Sequence, residues 1–458
     1  MIVEEIDLPV SPLELLGRLR GKRGLAYVDG VTGPDGRPLT IIGFDPRRAL
    51  RIDADGGVWT GLPWHERRAT EPLVAFDRFL ASLPRPASMP PFPFRVAAIG
   101  YLAYEFGTLL APRPPRVVDD LRLPRLQFAF YDPLVVCDTV ARRYHVVTTT
   151  RRDAQSCRAE LSERAALPFR GAADENIAGA PILRSNMTLE AYRHAIQRIH
   201  HHIAAGDVYQ VNLTQRFAVP LHTDPVDFFT RLARTHPTPR SAYVDAGPFQ
   251  IVSNSPELFL ERRGRHIATQ PIKGTRPRGR SVEHDLRLRR ELETDPKERA
   301  EHVMIVDLER NDLGRICVPG SVRVRSLAML ESYPSLHHLV STVVGELRAD
   351  VTTLEILRAT FPGGSITGAP KIRAMQLIDD LEPHARGVYT GALGIIDGAG
   401  DLHLNLPIRT AVTIDGLAYF GAGGGIVADS DADAEHAETL LKVEALLGAL
   451  GARGGCAA

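Results

Sequence analysis

Short apolar runs separated by turn residues dominate the first 150 residues. Examples are "GLAYVDGVTGPDGRPLTIIGFDP" from residue 24 and "LQFAFYDPLVVCD" from residue 126. Runs of this kind, bounded by Gly, Pro and Asp, predict strands, so residues 1–150 are expected to be mostly β. Residues 151–184 lose this periodicity and end near "GAADENIAGAP". They are therefore predicted to connect the first region to another at 185–450.

A helical pattern opens this last region. "TLEAYRHAIQRIHHHIAAG" predicts a helix that begins after Thr188 and ends at Gly206, a favourable C-terminal cap. The next stretch, "VYQVNLTQRF", alternates apolar and polar residues and predicts a strand. Its polar face, which carries Gln210, Asn212 and Thr214, is typical either of the border of a wet cleft or of an exposed edge.

An acidic helix is predicted over "DPKERAEHVMIVDLERNDLG". Asp295 is a good N-cap, and Glu298 three residues later completes a pattern typical of a capping pair. Glu301 lies one turn further along, where no cap requires an acid. This residue is therefore a candidate for chemistry.

A second acidic helix follows a glycine run. Glu435, Glu438 and Lys442 share one face of "DSDADAEHAETLLKVEALL", although solvated helix faces also show this pattern. The preceding "YFGAGGGIVADS" predicts a loop whose backbone amides can approach an anion closely. Acids on two helices beside such a loop indicate a hard-cation site. Mg²⁺ is the expected ion, because it takes one or two carboxylates and the oxygens of the ligand itself.

Charge and composition exclude several classes of protein. Acidic and basic residues balance at 55 each among 458 residues, and no long apolar run occurs. We therefore expect two or three domain-sized units that bind neither nucleic acid nor membranes. The four cysteines, Cys137, Cys157, Cys317 and Cys456, show no paired spacing. A reduced, cytoplasmic protein is expected.

One lysine stands out in "QPIKGTRPRG". Only five of the 55 basic residues are lysines, so Lys273 occurs in a chain that otherwise prefers arginine. Lysine can lose its proton and act as a base or nucleophile, which arginine cannot do, although Lys273 could equally be a surface charge. Further candidates for a polyanion pocket are Glu257, His338, Tyr389 and Arg409.

These motifs resemble those of the chorismate-utilising enzymes, and most closely those of component I of aminodeoxychorismate synthase. The resemblance covers roughly residues 185 to 447 and includes "GDVYQVNLTQ", "SPELF", "PIKGTRPRG", "FPGGSITGAPKIRAM", "GVYTGALG" and "GAGGGIVADSD". It implies an α+β fold in which large antiparallel sheets pack as a sandwich with outer helices. It also implies that residues 185–450 bind chorismate and carry the catalytic groups.

The resemblance implies a role for each candidate residue. Glu257 would be the general acid and Lys273 a covalent nucleophile. Glu301 and Glu438 would hold Mg²⁺, with Glu298 as a further candidate ligand. The implied substrate-binding residues are Thr275, His338, Tyr389, Arg409, Gly423, Gly424 and Lys442.

Two positions indicate which reaction the resemblance implies. Isochorismate-forming relatives carry a lysine at the position of Gln210, and anthranilate synthases resemble "PIAGT" where this chain reads "PIKGT". The implied reaction is amination of chorismate to 4-amino-4-deoxychorismate for para-aminobenzoate and folate synthesis. The alternatives are anthranilate synthase component I, a non-catalytic chorismate-binding regulatory subunit and a Schiff-base enzyme built on Lys273.

The source of ammonia is expected to lie outside this chain. A glutaminase requires a nucleophilic cysteine on a tight turn flanked by glycines, and none of the four cysteines lies in such a sequence. A separate glutamine amidotransferase subunit, or ammonia from solution, is therefore the expected donor.

Overall fold

The computed structural model describes residues 1–33, 35–62, 66–85, 92, 94, 96–112, 117–168, 183–334 and 336–451. The described residues form two large antiparallel sheets with helices around them. The predicted α+β sandwich is thereby confirmed.

The strands are numbered along the chain. They are β1 (Ile2–Ile6), β2 (Ala26–Thr32), β3 (Pro38–Gly43), β4 (Arg48–Ile52), β5 (Val58–Thr60), β6 (Glu66–Arg68), β7 (Ala97–Leu102), β8 (Leu126–Tyr131), β9 (Leu134–Asp138), β10 (Arg143–Thr148), β11 (Arg184–Ser185), β12 (Gln210–Pro220), β13 (Arg240–Asp245), β14 (Gln250–Ser255), β15 (Leu258–Arg263), β16 (His266–Gln270), β17 (Ile272–Pro277), β18 (Arg323–Ser332), β19 (Leu336–Glu346), β20 (Gly368–Ala369), β21 (Ala392–Asp397), β22 (Leu402–Asn405), β23 (Thr410–Ile414) and β24 (Leu417–Ile426).

The helices are numbered in the same way. They are α1 (Pro12–Arg18), α2 (Pro72–Ala81), α3 (Gly107–Leu110), α4 (Arg151–Ala166), α5 (Leu189–Ala204), α6 (Pro225–Thr235), α7 (Val282–Thr294), α8 (Pro296–Gly314), α9 (Thr353–Thr360), α10 (Lys371–Leu381) and α11 (Ala432–Ala449). Two short 3₁₀ turns occur at Tyr104–Phe106 and Gly364–Ile366.

Each sheet draws strands from both ends of the chain. The first has the order β1-β10-β9-β3-β2-β13-β14-β23-β24-β12-β11, with β20 paired to β12. The second has the order β17-β19-β16-β15-β22-β21-β7-β8-β4-β5-β6, with β18 paired to β19. Residues 1–150 and 185–450 are thus interleaved in both sheets, and α4 occupies the first half of the segment between them. Residues 169–182 of that segment lie outside the described residues.

A buried apolar layer joins the two sheets. Val28 and Ile41 of the first sheet belong to the same cluster as Ile99 and Leu393 of the second. Side chains alternate between the two faces of a strand, so every second residue of β2 and β3 faces this layer. The outer face of the first sheet is covered by α1, α4, α6 and α11, whose buried residues form a second cluster.

The helices predicted from sequence begin where their caps indicate. Thr188 accepts a hydrogen bond from Ala191 N at the start of α5, and Gly206, after its end, has a φ of +79°. Asp295 accepts from the backbone N–H groups of Lys297 and Glu298 at the start of α8. These predictions are confirmed.

The remaining sequence expectations concern cysteines and membranes. Cys137, Cys157 and Cys317 are buried free thiols, and Cys456 lies outside the described residues. Among the helices that the structure describes, none has the length and apolar character needed to cross a membrane.

Candidate active site

A polar cavity of about 180 Å³ lies where β24 and β12 of the first sheet approach β17 and β19 of the second. Helices α8 and α11 contribute the acidic side of its wall. All the candidate residues named from the sequence line this one cavity: Glu257, Lys273, Thr275, Glu298, Glu301, His338, Tyr389, Arg409, Gly423, Gly424, Glu438 and Lys442. Their roles stay predictions, but the fold brings them together.

Glu257 is a buried carboxyl in the turn between β14 and β15, with 4% of its surface exposed. Burial raises the pKa of Glu257 to about 7, although a hydrogen bond from Ser365 and the charge of Lys273 oppose the rise. The Ser365 hydroxyl donates to Glu257 Oε1 at 2.6 Å. A carboxyl with a pKa near 7 can hold a proton at neutral pH and release it to a substrate.

Lys273 lies on β17 and reaches into the same cavity. Burial lowers the pKa of Lys273; Glu301 opposes this effect and Lys442 adds to it. No hydrogen bond or ion pair joins its Nζ to another residue in the described part of the chain. The arginines that follow it pair elsewhere, Arg276 with Asp295 and Arg278 with Asp285. Burial and the charge of Lys442 therefore account for the lowered pKa of Lys273.

His338 connects Thr275 to Arg409 across the cavity wall. Its Nδ1 lies 3.0 Å from Thr275 Oγ1 and its Nε2 lies 3.2 Å from Arg409 Nη2. A guanidinium can only donate, so Nε2 is the acceptor and Nδ1 carries the hydrogen of the neutral ring. Burial, together with the charge of Arg409, lowers the pKa of His338 to about 3, which keeps it neutral. Burial also lowers the pKa of Arg409 to about 10.

The glycine run forms part of a strand, so the predicted loop is wrong. Gly423, Gly424 and Gly425 belong to β24 and pair with Thr214, Leu213 and Asn212 of β12. Glycine is needed here because other groups approach the backbone closely. A Cβ at Gly425 would overlap the side-chain amide of Gln210 and lie 3.2 Å from Lys273 Nζ. The glycine run therefore lets neighbouring protein groups pack directly against this wall of the cavity.

Tyr389 stacks against another part of this wall. A Cβ on Gly421 would overlap the Tyr389 ring, so the glycine allows the ring to lie flat on β24. Burial raises the pKa of the Tyr389 phenol, which therefore stays protonated and can donate a hydrogen bond.

Four carboxylates from two helices face the cavity, namely Glu298, Glu301, Glu435 and Glu438. Burial raises the pKa of Glu301 to about 6, and the charges of Glu298 and Glu435 add to the rise. Such mutual repulsion is relieved by a bound cation. In the described part of the chain no three His, Cys, Asp or Glu side chains form a metal-binding group. Because Mg²⁺ needs only one or two carboxylates, the oxygen donors present fit this ion.

Two of these acids form close ion pairs with basic side chains. Lys442 Nζ lies 2.7 Å from Glu438 and donates to Gly423 O at 2.8 Å. Glu298 pairs with Arg276 at 3.1 Å and does not complete the predicted capping pair with Asp295. That expectation is wrong, because the guanidinium of Arg276 holds the Glu298 carboxylate in the cavity wall.

Among the lining residues with polar side chains, four were not named as site residues from the sequence: Asn212, Lys297, Ser365 and Glu435. Asn212 lies on the polar face of β12, which is buried, so the exposed-edge alternative is wrong. Glu435 shares a helix face with Glu438, and that spacing was the available signal. Ser365 lies within "GGSITGAPK", where no local pattern distinguishes a serine that reaches the site from an ordinary turn residue.

Sequence comparison relates this chain to known enzymes. The family model for a chorismate binding enzyme matches residues 30–448. Aminodeoxychorismate synthase component 1 of Klebsiella aerogenes is 40% identical over 380 residues, which cover 83% of each chain. Anthranilate synthase component 1 of Thermus thermophilus is 39% identical over 416 residues, which cover 90% of this chain and 89% of that protein.

A solved structure shows the same overall fold. Anthranilate synthase component I from Streptococcus pneumoniae superposes with a TM-score of 0.79 at 28% identity, covering 97% of this chain and 99% of that one. This chain therefore belongs to the chorismate binding enzymes, in the class that contains the anthranilate and aminodeoxychorismate synthases.

Proposed function

We propose that this chain is component I of an aminodeoxychorismate synthase, which aminates chorismate to 4-amino-4-deoxychorismate. The observation that carries the proposal is the state of the Lys273 amine. Its amine has a lowered pKa, lacks a protein partner among the described residues, and lines the same cavity as the protonatable Glu257. An amine in that state is suited to attack a substrate carbon.

The two residues divide the reaction between them. Lys273 forms a C–N bond to the chorismate ring as the ring hydroxyl departs, and the Glu257 proton converts that hydroxyl to water. Ammonia then bonds to the carbon that lost the hydroxyl, and Lys273 leaves as the free amine. Ser365 supports this division because it holds Glu257 in one position.

Charged groups around the cavity fit a dicarboxylate. Arg409 and Tyr389 would bind the enolpyruvyl carboxylate, while Lys442 and the β24 backbone at Gly423 and Gly424 would meet the ring carboxylate. The neutral His338, oriented by Thr275, would lie near the departing hydroxyl. Mg²⁺, held by Glu301 and Glu438, would supply positive charge to the ring carboxylate when bound.

Ammonia is proposed to come from a separate glutaminase subunit. The relatives from Klebsiella and Thermus are both named component 1 of their synthases. Burial raises the pKa of Cys137 and Cys157 to about 12 and that of Cys317 to about 11, so none of these thiols is an activated nucleophile.

Anthranilate synthase component I is the second candidate, because the Thermus thermophilus relative of that name aligns with 90% of this chain. The two functions differ in which carbon of chorismate receives the nitrogen. A lysine that reacts with the ring has a role in the first proposal and none in the second.

One assay separates these functions. The purified chain is incubated with chorismate, Mg²⁺ and an ammonium salt, and the products are resolved by chromatography. The proposal expects 4-amino-4-deoxychorismate. Anthranilate as the sole product would support the second candidate, and unchanged chorismate would contradict both. A parallel reaction with glutamine should give no product, and turnover there would refute the separate glutaminase.

A further inference from the structure

A second buried carboxyl lies behind the active site. Glu309 of α8 has 3% of its surface exposed and does not line the cavity. Its Oε1 accepts a hydrogen bond from Gly364 N at 2.9 Å, and its Oε2 has no partner among the described residues. Burying a carboxyl with one orphaned oxygen costs stability, and an apolar side chain would avoid that cost. The contact with Gly364 therefore requires an explanation other than packing.

Gly364 begins the short 3₁₀ turn whose next residue is Ser365, the donor to Glu257. The link from Glu309 to Glu257 thus runs through one backbone amide and one hydroxyl. Gly364 itself permits the approach, because a Cβ there would lie 2.7 Å from Leu308 Cδ2 and 3.0 Å from Glu309 Oε1.

Other groups hold the remaining polar atoms of this segment. Lys371 donates to the carbonyls of Thr360 and Pro362 at 3.0 and 2.9 Å and also pairs with Asp312. Arg386 donates to Ile366 O at 2.9 Å. The bonds from Lys371 and Arg386 to this segment hold carbonyls, whereas Glu309 is the described side chain that holds the amide next to Ser365.

We propose that Glu309 is a positioning residue whose carboxyl anchors the Gly364–Ile366 turn and so fixes the Ser365 hydroxyl against Glu257. This inference rests on the proposed function, in which Glu257 is the general acid. Glu309 does not touch the substrate cavity, so its effect passes through Ser365.

Two substitutions separate the anchor from the charge. Glu309→Gln and Glu309→Ala both remove the ionisable group, but the glutamine keeps an oxygen for Gly364 N. We expect Glu309→Ala to lower kcat about tenfold with little change in the KM for chorismate, and Glu309→Gln to retain most of the activity. Wild-type kcat in the alanine variant, or an equal loss in both variants, would overturn the proposal.

A double-mutant cycle tests the route. If Glu309 acts through Ser365, adding Glu309→Ala to Ser365→Ala should change kcat by less than about twofold. If the kcat of the double variant were lowered by the full product of the two single losses, Glu309 would act by another path and the assignment would be overturned.

Hydrogen exchange tests the anchor without turnover. Mass spectrometry of a peptide containing Gly364 should show its amide exchanging about tenfold faster in Glu309→Ala than in Glu309→Gln. Equal exchange rates in the two variants would refute the anchor even if the wild-type enzyme is active. If the amide exchanged faster in Glu309→Ala but the wild-type chain failed to aminate chorismate, the proposed function would be refuted and the anchor would stand.

Discussion

Replacing Ser365 with alanine should make Glu257 a weaker acid. The Ser365 hydroxyl donates to the carboxylate at 2.6 Å, and this bond lowers the pKa of Glu257 against the larger effect of burial. Removing the donor removes the largest of the effects that oppose burial. The pKa of Glu257 should therefore rise from its value of about 7.

The size of the rise follows from the strength of the bond. A hydrogen bond to a buried charged group contributes about 1.5–3 kcal/mol, and each pKa unit corresponds to about 1.4 kcal/mol. The expected rise is therefore about 1 to 2, with the lower value favoured if water replaces the hydroxyl. At pH 8 about a tenth of the wild-type carboxyl is protonated, whereas about half would be protonated after a rise of 1.

The pH dependence of kcat measures this shift, because the general acid must be protonated. Total ammonium is adjusted at each pH so that free ammonia stays constant, and chorismate and Mg²⁺ are saturating. The wild type should lose activity as the pH rises through about 7. The Ser365→Ala variant should have a lower maximal rate and lose activity about one pH unit higher.

Ser255→Ala is the matched control. Ser255 is also buried and accepts from the backbone N–H of Glu257 at 3.2 Å, but it does not touch the carboxyl. Its loss should leave the midpoint of the alkaline limb unchanged. If the alkaline limb of the pH profile of Ser365→Ala had the wild-type midpoint, or a lower one, this account of Glu257 would be refuted.

Three further predictions concern the other groups of the site. Lys273→Ala should slow aminodeoxychorismate formation at least about 100-fold and open a path to some anthranilate, and Lys273→Arg should be equally poor, because a guanidinium cannot attack. Both products are measured by chromatography, and an arginine variant with wild-type turnover would contradict the covalent role. Glu438→Gln should lower turnover about 100-fold with a melting temperature within about 2 °C of wild type. Glu444 is an exposed acid on the same helix, and Glu444→Gln should change neither turnover nor melting temperature. Normal activity of Glu438→Gln at saturating Mg²⁺ would show that Glu438 is not part of the site. Glu257→Gln should gain stability relative to wild type as pH rises, because a folded pKa raised from 4.5 to about 7 stabilises the fold below pH 4.5 and loses that contribution as pH rises from 4.5 through 7. The gain in the free energy of unfolding between pH 5 and 8.5 should be roughly 2 to 3 kcal/mol, and a difference independent of pH would contradict it.

Local sequence was sufficient for several elements. The caps at Thr188 and Asp295 determine where α5 and α8 begin, and a cap depends only on neighbouring residues. The spacing of Glu435 and Glu438 likewise placed both acids on one helix face, and both line the cavity. Resemblance of ordered motifs supplied the other site residues, which come from distant strands and loops.

Long-range pairing explains what local patterns missed. The glycines at 423–425 read as a loop because glycine weakens strands, yet ten residue pairs with β12 hold β24 extended. Glu298 suited a capping pair, but Arg276 on β17 competes for its carboxylate. Ser365 is linked to Glu257, and Glu309 to Gly364, by tertiary hydrogen bonds, and no periodicity indicates such bonds.

The interleaving of the two sheets imposes an order on how the nascent chain folds. Strand β7 pairs with β21, and β2 pairs with β13, so strands made early wait for partners translated much later. Until then, the edges of β7 and β2 expose unpaired backbone groups and apolar side chains that favour aggregation. We therefore expect both sheets to stay incomplete until β21 to β24 have been translated, and chaperones that shield strand edges to raise the yield of active protein.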